Sequence, residues 1–143
     1  MSIQQYVLGF LFSPELSLVA LIRKQRPEWQ RGKLNGIGGK IESGEKPADA
    51  MRREFHEETG VDFLGWNHFT TMCGPDWIVF VFCGADKSVL AVDSITDEEV
   101  TFKSPLCFNE GCAHNVNWLI SMARTQLLEG SKQTYEVFES ESV

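Results

Sequence analysis

The chain has 143 residues, 43% of them hydrophobic, which is enough for one compact core over 1–143 and leaves no room for a second full domain. Thirteen Lys and Arg against twenty Asp and Glu give a net charge of −7, so the basic surplus that would draw the chain to nucleic acid or an anionic membrane is absent. No apolar run is long enough to span a bilayer, and MSIQQYVLGF has no cationic stretch ahead of its apolar residues; a cytoplasmic location is expected.

Taken in chain order, Tyr6 to Phe12 and Leu18 to Ile22 are β-rich apolar runs around Ser13-Pro14-Glu15, which predicts two strands joined by a tight turn. A polar, glycine-punctuated stretch runs from Arg23 to Gly39, and its backbone can adopt positive φ and approach a ligand or another chain segment closely. Pro47 suits the first turn of a helix and Gly60 the left-handed position past its end, so a helix is expected between them. Trp66 to Cys73 and Trp77 to Cys83 form a second strand pair around Gly74-Pro75-Asp76. Asp93 to Glu99 is an acidic loop or strand edge that Val100 to Phe102 extends. Asn115 to Leu128 has helical spacing, with Trp118, Leu119, Met122 and Leu127 as expected core contacts, and the tail from Gly130 is expected to be loosely ordered. Strands, helix, strands and helix in this order imply a sheet covered by helices, an α/β/α sandwich.

The cysteines at 73, 83, 107 and 112 form no CxxC pair and are expected to be free thiols, Cys73 and Cys83 as small core residues. Cys107, Cys112 and His114 lack paired-ligand spacing, so no zinc site is expected there. Trp29, Trp77 and Phe108 are read as core aromatics, with stacking on a base as the alternative.

The chemistry concentrates between Gly39 and Val61. On a helix advancing about 100° per residue, Glu54, Glu57 and Glu58 fall within an arc of about 100°. Like charges so close destabilise an isolated helix, and Glu57 and Glu58 also lie near the negative end of its dipole. Hard divalent cations repay that cost, and Mg²⁺ binds through a few carboxylates plus substrate phosphates. Met51 and Phe55 give the helix an apolar side, and Glu45 is placed to pair with Arg53 and fix the preceding loop.

The whole spacing is Gly39, five residues, Glu45, seven residues, Arg53-Glu54, Phe55, any residue, Glu57-Glu58, any residue, Gly60 and Val61. It resembles the Nudix box; Phe55 stands where members more often carry an aliphatic residue. The resemblance implies a Nudix-type α/β/α sandwich, a mixed sheet flanked by helices. It further implies Mg²⁺, with Mn²⁺ as a substitute, on Glu54, Glu57 and Glu58 and a carbonyl of Gly38 or Gly39, with Arg53 in the catalytic machinery. The reaction implied is hydrolysis of a diphosphate linkage. Thr96 to Val100 resembles a loop that carries the general base in some members, so Glu98 is the first choice for base or further metal ligand and Glu99 the second.

Trp29 to Lys40, WQRGKLNGIGGK, resembles the segment before the box in the MutT-like branch, which converts nucleoside triphosphates, oxidised purines included, to monophosphate and pyrophosphate. By that resemblance Arg23, Asn35 and Asn115 would contact the substrate; an amide both donates and accepts, as a purine edge requires. Their ordinary alternatives are a surface charge, a turn residue and a helix cap. His114-Asn115 stands where some oxidised-purine enzymes carry an acidic pair, which leaves the preference for oxidised bases open. The other readings are cleavage of ADP-ribose or another nucleoside diphosphate derivative, and a non-catalytic nucleotide sensor. A small-molecule nucleotide partner is expected, without stable nucleic-acid or membrane binding, in a monomer or homodimer.

Overall fold

The computed structural model describes residues 2–106, 111–113, 115–130 and 135–138. Cys107, Phe108 and His114 lie outside the described residues. The strands are β1 (Gln4–Phe12), β2 (Val19–Arg23), β3 (Leu34–Asn35), β4 (Ile37–Lys40), β5 (Asn67–Cys73), β6 (Trp77–Ala85), β7 (Val100–Lys103) and β8 (Tyr135–Phe138); the helices are α1 (Pro47–Thr59) and α2 (Val116–Glu129). The described strands join in one mixed sheet in the order β3-β2-β1-β6-β5-β8, with β4 also pairing β1 and β7 also pairing β2.

β1 organises this sheet. It runs parallel to β6 along its full length, from Gln4 opposite Trp77 to Phe12 opposite Ala85. Its other edge is shared: the first half takes β4 antiparallel, Tyr6 opposite Lys40 to Gly9 opposite Ile37, and the far end takes β2 at Phe12 opposite Val19. Alternation along β1 then separates two cores. Val7 and Leu11 pack with Met51 and Phe55 of α1, whereas Phe10 and Phe12 pack with Val116, Leu119, Ile120 and Ala123 of α2. Helices therefore cover opposite faces, the α/β/α sandwich expected from the element order. Burying Met51 or Phe55 contributes roughly 1.5–3 kcal/mol each relative to exposure.

α1 matches its expected bounds because its punctuation is strong. Pro47 occupies the first turn, and Gly60 ends the helix at φ 79°, its N–H donating to the His56 carbonyl at 2.9 Å. In α2, Leu119 is buried and Met122 and Leu127 pack half-buried, but Trp118 does not join the core: it is 37% exposed, rotated off the buried stripe Val116, Leu119, Ile120 and Ala123. Cys83 is buried as expected; Cys73 is half-buried. The tail contributes β8, which pairs parallel to β5 with Thr70 opposite Tyr135 and Cys73 opposite Phe138.

The glycine-punctuated stretch also yields two short strands, β3 and β4, the second of them in the close approach to another segment that its glycines allow. Glycine is required in β4 because the backbones approach closely: a Cβ on Gly38 would stand 1.9 Å from the Val7 carbonyl oxygen. Gly38→Ala must therefore push β4 off β1, and the expected loss of stability is on the order of 3 kcal/mol or more, measured by urea unfolding. A Cβ on Gly32 meets nothing within 4 Å, so Gly32→Ala bears only the cost of its positive φ and should lose much less. Equal losses in the two variants would contradict the close approach.

Candidate active site

Arg53 lies at the centre of the acidic segment. Its Nε and Nη2 donate to the two Glu45 carboxylate oxygens at 2.8 and 2.9 Å, and Nη2 also donates to the Lys40 carbonyl at 3.1 Å. Its Nη1 donates to Glu54 at 2.9 Å and reaches Glu57 at 3.2 Å. One guanidinium thus ties the loop before α1, the end of β4 and two of the three clustered carboxylates. This fork-on-carboxylate geometry holds Glu45 below the ordinary carboxylate range, with the Arg53 hydrogen bonds as the main cause, and raises Arg53 itself.

Glu54 has the opposite environment. Burial pushes its carboxyl up; Arg53 pulls it back, and Glu57 and Glu58 add to the push. Its carboxylate rests on the β4 backbone, where a Cβ on Gly39 would come within 2.5 Å of it. Glycine at 39 is therefore what lets the carboxylate meet the strand. Glu58 accepts from the Thr96 hydroxyl at 2.7 Å.

Thus the three carboxylates share a face, as their spacing implies, with Glu54 and Glu57 held by Arg53 and Glu58 by Thr96. Among the described residues, no three His, Cys, Asp or Glu side chains gather closely enough to hold an ion. The donor set nevertheless suits a hard cation: it is all oxygen, it repels itself, and Gly39 leaves its innermost member open to the strand backbone.

Next to this face lies a pocket of about 600 Å³, lined among others by Tyr6, Lys24, Gln30, Asn35, Gly39 and Asn115. Asn35 is fixed at both ends of its amide, accepting from the Gly36 N–H at 2.8 Å and donating to Gln30 at 3.1 Å. Asn115 stands at the start of α2 but makes no capping bond; its Nδ2 instead faces the Met72 sulfur at 3.7 Å. Trp29, 64% exposed, lines the pocket and is not the core aromatic expected; Trp77, half-buried, packs against the core as expected and lines the pocket as well.

Arg23 and Glu98 take the following places. Arg23 does not line the pocket: its guanidinium donates to the Gly32 carbonyl at 2.9 Å and closes its own loop. The pocket cation at the end of β2 is Lys24, one residue on, because successive strand side chains point to opposite faces. Glu98, the first choice for base or further metal ligand, lies on the loop before β7. It is buried, with one oxygen 3.2 Å from Lys24 Nζ and the other accepting the Gln25 N–H at 2.6 Å. Glu99 contributes its carbonyl, 2.8 Å from the Arg23 N–H.

A family model for the NUDIX domain matches residues 3–109. The fold is shared with a NUDIX hydrolase from Nitrosomonas europaea, at TM-score 0.75 and 14% identity over 99% of this chain and 81% of that one. It is shared with a MutT NUDIX hydrolase from Burkholderia pseudomallei, at TM-score 0.72 and 14% identity over 85% and 98%. A MutT protein from Bacillus halodurans matches at TM-score 0.69 and 20% identity over 96% and 91%. The chain belongs to the Nudix family, and with that membership goes a hydrolase acting on the diphosphate linkage of a nucleotide-like substrate. Among the described residues no helix is long and apolar enough to cross a membrane.

The Glu45–Arg53 pair gives a pH prediction. Because the folded value of Glu45 lies below its ordinary 4.5, the pair's contribution is complete above that value and is lost as pH falls through the lower, folded one. Glu45→Gln should therefore be less stable than the parent at pH 7 by about 1.5–3 kcal/mol, and the gap should close on acidification below the ordinary carboxylate range. Melting curves from pH 7 to pH 3 check this; a gap that widens in acid would contradict the assignment.

Proposed function

We propose that the chain is a MutT-like enzyme that hydrolyses a nucleoside triphosphate to the monophosphate and pyrophosphate with Mg²⁺, or Mn²⁺ in its place. The observation that carries this reading is the adjacency of two unlike surfaces. A pocket with the two amides Asn35 and Asn115 and the aromatic faces of Trp29 and Trp77 opens directly beside Gly39, against which Glu54 rests. A base fits the first surface and a polyphosphate with its cation the second.

Glu54, Glu57 and Glu58, with a carbonyl of Gly39 or Gly38, are the residues that would hold the cation. When bound, it neutralises phosphate oxygens and lowers the pKa of its water. The chain's own residues do the rest. Arg53 keeps Glu54 and Glu57 aligned and, through Glu45, clamps the loop ahead of α1. Asn35, held in one orientation by Gly36 and Gln30, presents a fixed amide, and Asn115 supplies a second donor-acceptor pair to the base edge. Catalysis then rests on positioning and charge stabilisation, as phosphoryl chemistry requires, with no covalent protein intermediate.

A panel of dGTP, 8-oxo-dGTP, ADP-ribose, dinucleoside polyphosphates and capped RNA tests the reading. Pyrophosphate release from a triphosphate, dependent on Mg²⁺ and reduced about 10²–10³-fold by Glu57→Gln, is the expected result. Turnover of ADP-ribose with none of the triphosphates would overturn it.

A further inference from the structure

We infer that Gln30 is a positioning residue: it fixes the sense of the Asn35 amide and thereby lets the pocket tell a keto from an amino base edge. The inference rests on the nucleotide reading above and names a distinction that reading leaves open.

A side-chain amide is nearly symmetric in shape, so turning it over exchanges its oxygen and nitrogen and makes a donor of an acceptor. Keto and amino bases pose the same exchange from the other side. Hypoxanthine has an acceptor oxygen beside a ring N–H, whereas adenine has, on the same two atoms, an amino group beside a bare ring nitrogen; uracil and cytosine differ likewise. An amide free to turn serves both members of such a pair, and one held in a single sense refuses one of them.

The hold is a relay of unlike groups. It starts at a backbone donor, which cannot reverse: the Gly36 N–H donates to Asn35 Oδ1 at 2.8 Å. Gly36 is itself wedged, since a Cβ there would stand 2.9 Å from the Phe10 ring and 3.0 Å from Leu8. With its oxygen so placed, Asn35 donates from Nδ2 to Gln30 Oε1 at 3.1 Å. Turning the amide over would set two donors against each other at Gly36 and two acceptors at Gln30. The Gly36 bond pins the oxygen end alone; Gln30, five residues back along the chain, pins the nitrogen end.

Gln30 is in turn held at its base. It closes the short turn Glu28–Gln30, its N–H donating to the Pro27 carbonyl and its own carbonyl accepting the Lys33 N–H, both at 2.9 Å. Asn35 is mounted on β3, opposite Ile22 of β2. Both side chains are half-buried and line the pocket. After these bonds the Asn35 amide keeps one lone pair and one hydrogen for a ligand. The other amide of the pocket, Asn115, is held less firmly, by the weakly accepting Met72 sulfur at 3.7 Å, so the discrimination falls to Asn35.

The test measures, by calorimetry, affinity for two pairs of monophosphates, dIMP with dAMP and dUMP with dCMP. The proteins are the parent, Gln30→Met, Gln30→Ala, Gln30→Glu, Asn35→Ala and Gln30→Met/Asn35→Ala, each checked by a melting curve. The parent should favour one member of a pair by about tenfold or more. Gln30→Met and Gln30→Ala, which lack the acceptor, should bring that ratio about three- to tenfold nearer to one. Gln30→Glu keeps an acceptor for Asn35 and should retain the ratio, and Gln30→Met should add nothing once Asn35 is alanine. In turnover of the matching triphosphates, Gln30→Met should narrow the difference in kcat/KM while kcat on the preferred one changes little. Equal binding of both members by the parent, or an unchanged ratio in a folded Gln30→Met or Gln30→Ala, would overturn this assignment alone. A ratio lost in Gln30→Glu as it is in Gln30→Met would make Gln30 a direct contact through its own N–H groups and overturn the positioning role. Failure of the parent to bind or cleave any nucleotide would overturn the nucleotide reading and this assignment with it.

Discussion

The arrangement of the site depends on one guanidinium. Arg53 faces an acidic segment in which Glu45, Glu54 and Glu57 would otherwise repel one another across the junction of loop and helix. Its fork meets Glu45 with two short bonds and still spends a donor on Glu54 and another on the Lys40 carbonyl. A lysine has the charge but not the planar fork, and could not serve three groups in fixed directions. Because Arg53 sits one residue before Glu54, the bond that closes the loop also sets the register of the carboxylates against β4.

The sheet supplies the second constraint. β4 must come close enough to β1 that a side chain at Gly38 cannot fit, and the next residue, Gly39, must leave room for the Glu54 carboxylate. Two neighbouring glycines thus answer two different demands, strand pairing on one and the helix's acidic face on the other. The same end of β1 forms a wall of the pocket through Tyr6 and Leu8, so the pocket and the acidic face share one strand edge.

Much of this was legible in the residues. The box spacing located Glu54, Glu57 and Glu58 and the Arg53–Glu45 clamp, because helical periodicity and capping signals at Pro47 and Gly60 are local. What escaped was non-local. Sequence does not reveal which side of the sheet a strand end faces, so nothing in it marks Lys24 rather than Arg23 as lining the pocket. The ion pair of Glu98 was hidden because nothing nearby in sequence announces its partner, Lys24, which is brought to it by the pairing of β2 with β7. β4 was hidden by its glycines, which weaken strand propensity yet are what the close approach to β1 requires, and β3 is only two residues long. Trp118 and Trp29 looked apolar enough for the core, but neither lies on a buried face.

The central claim is that the face clamped by Arg53 receives a divalent cation together with substrate phosphates. Amide resonances broadened by Mn²⁺ in the presence of a nucleotide test it most directly, since paramagnetic broadening falls steeply with distance. The account predicts loss of signal centred on Gly39 and residues 54–58, absent from Glu57→Gln. Broadening centred elsewhere, or none at millimolar Mn²⁺ with nucleotide bound, would contradict it.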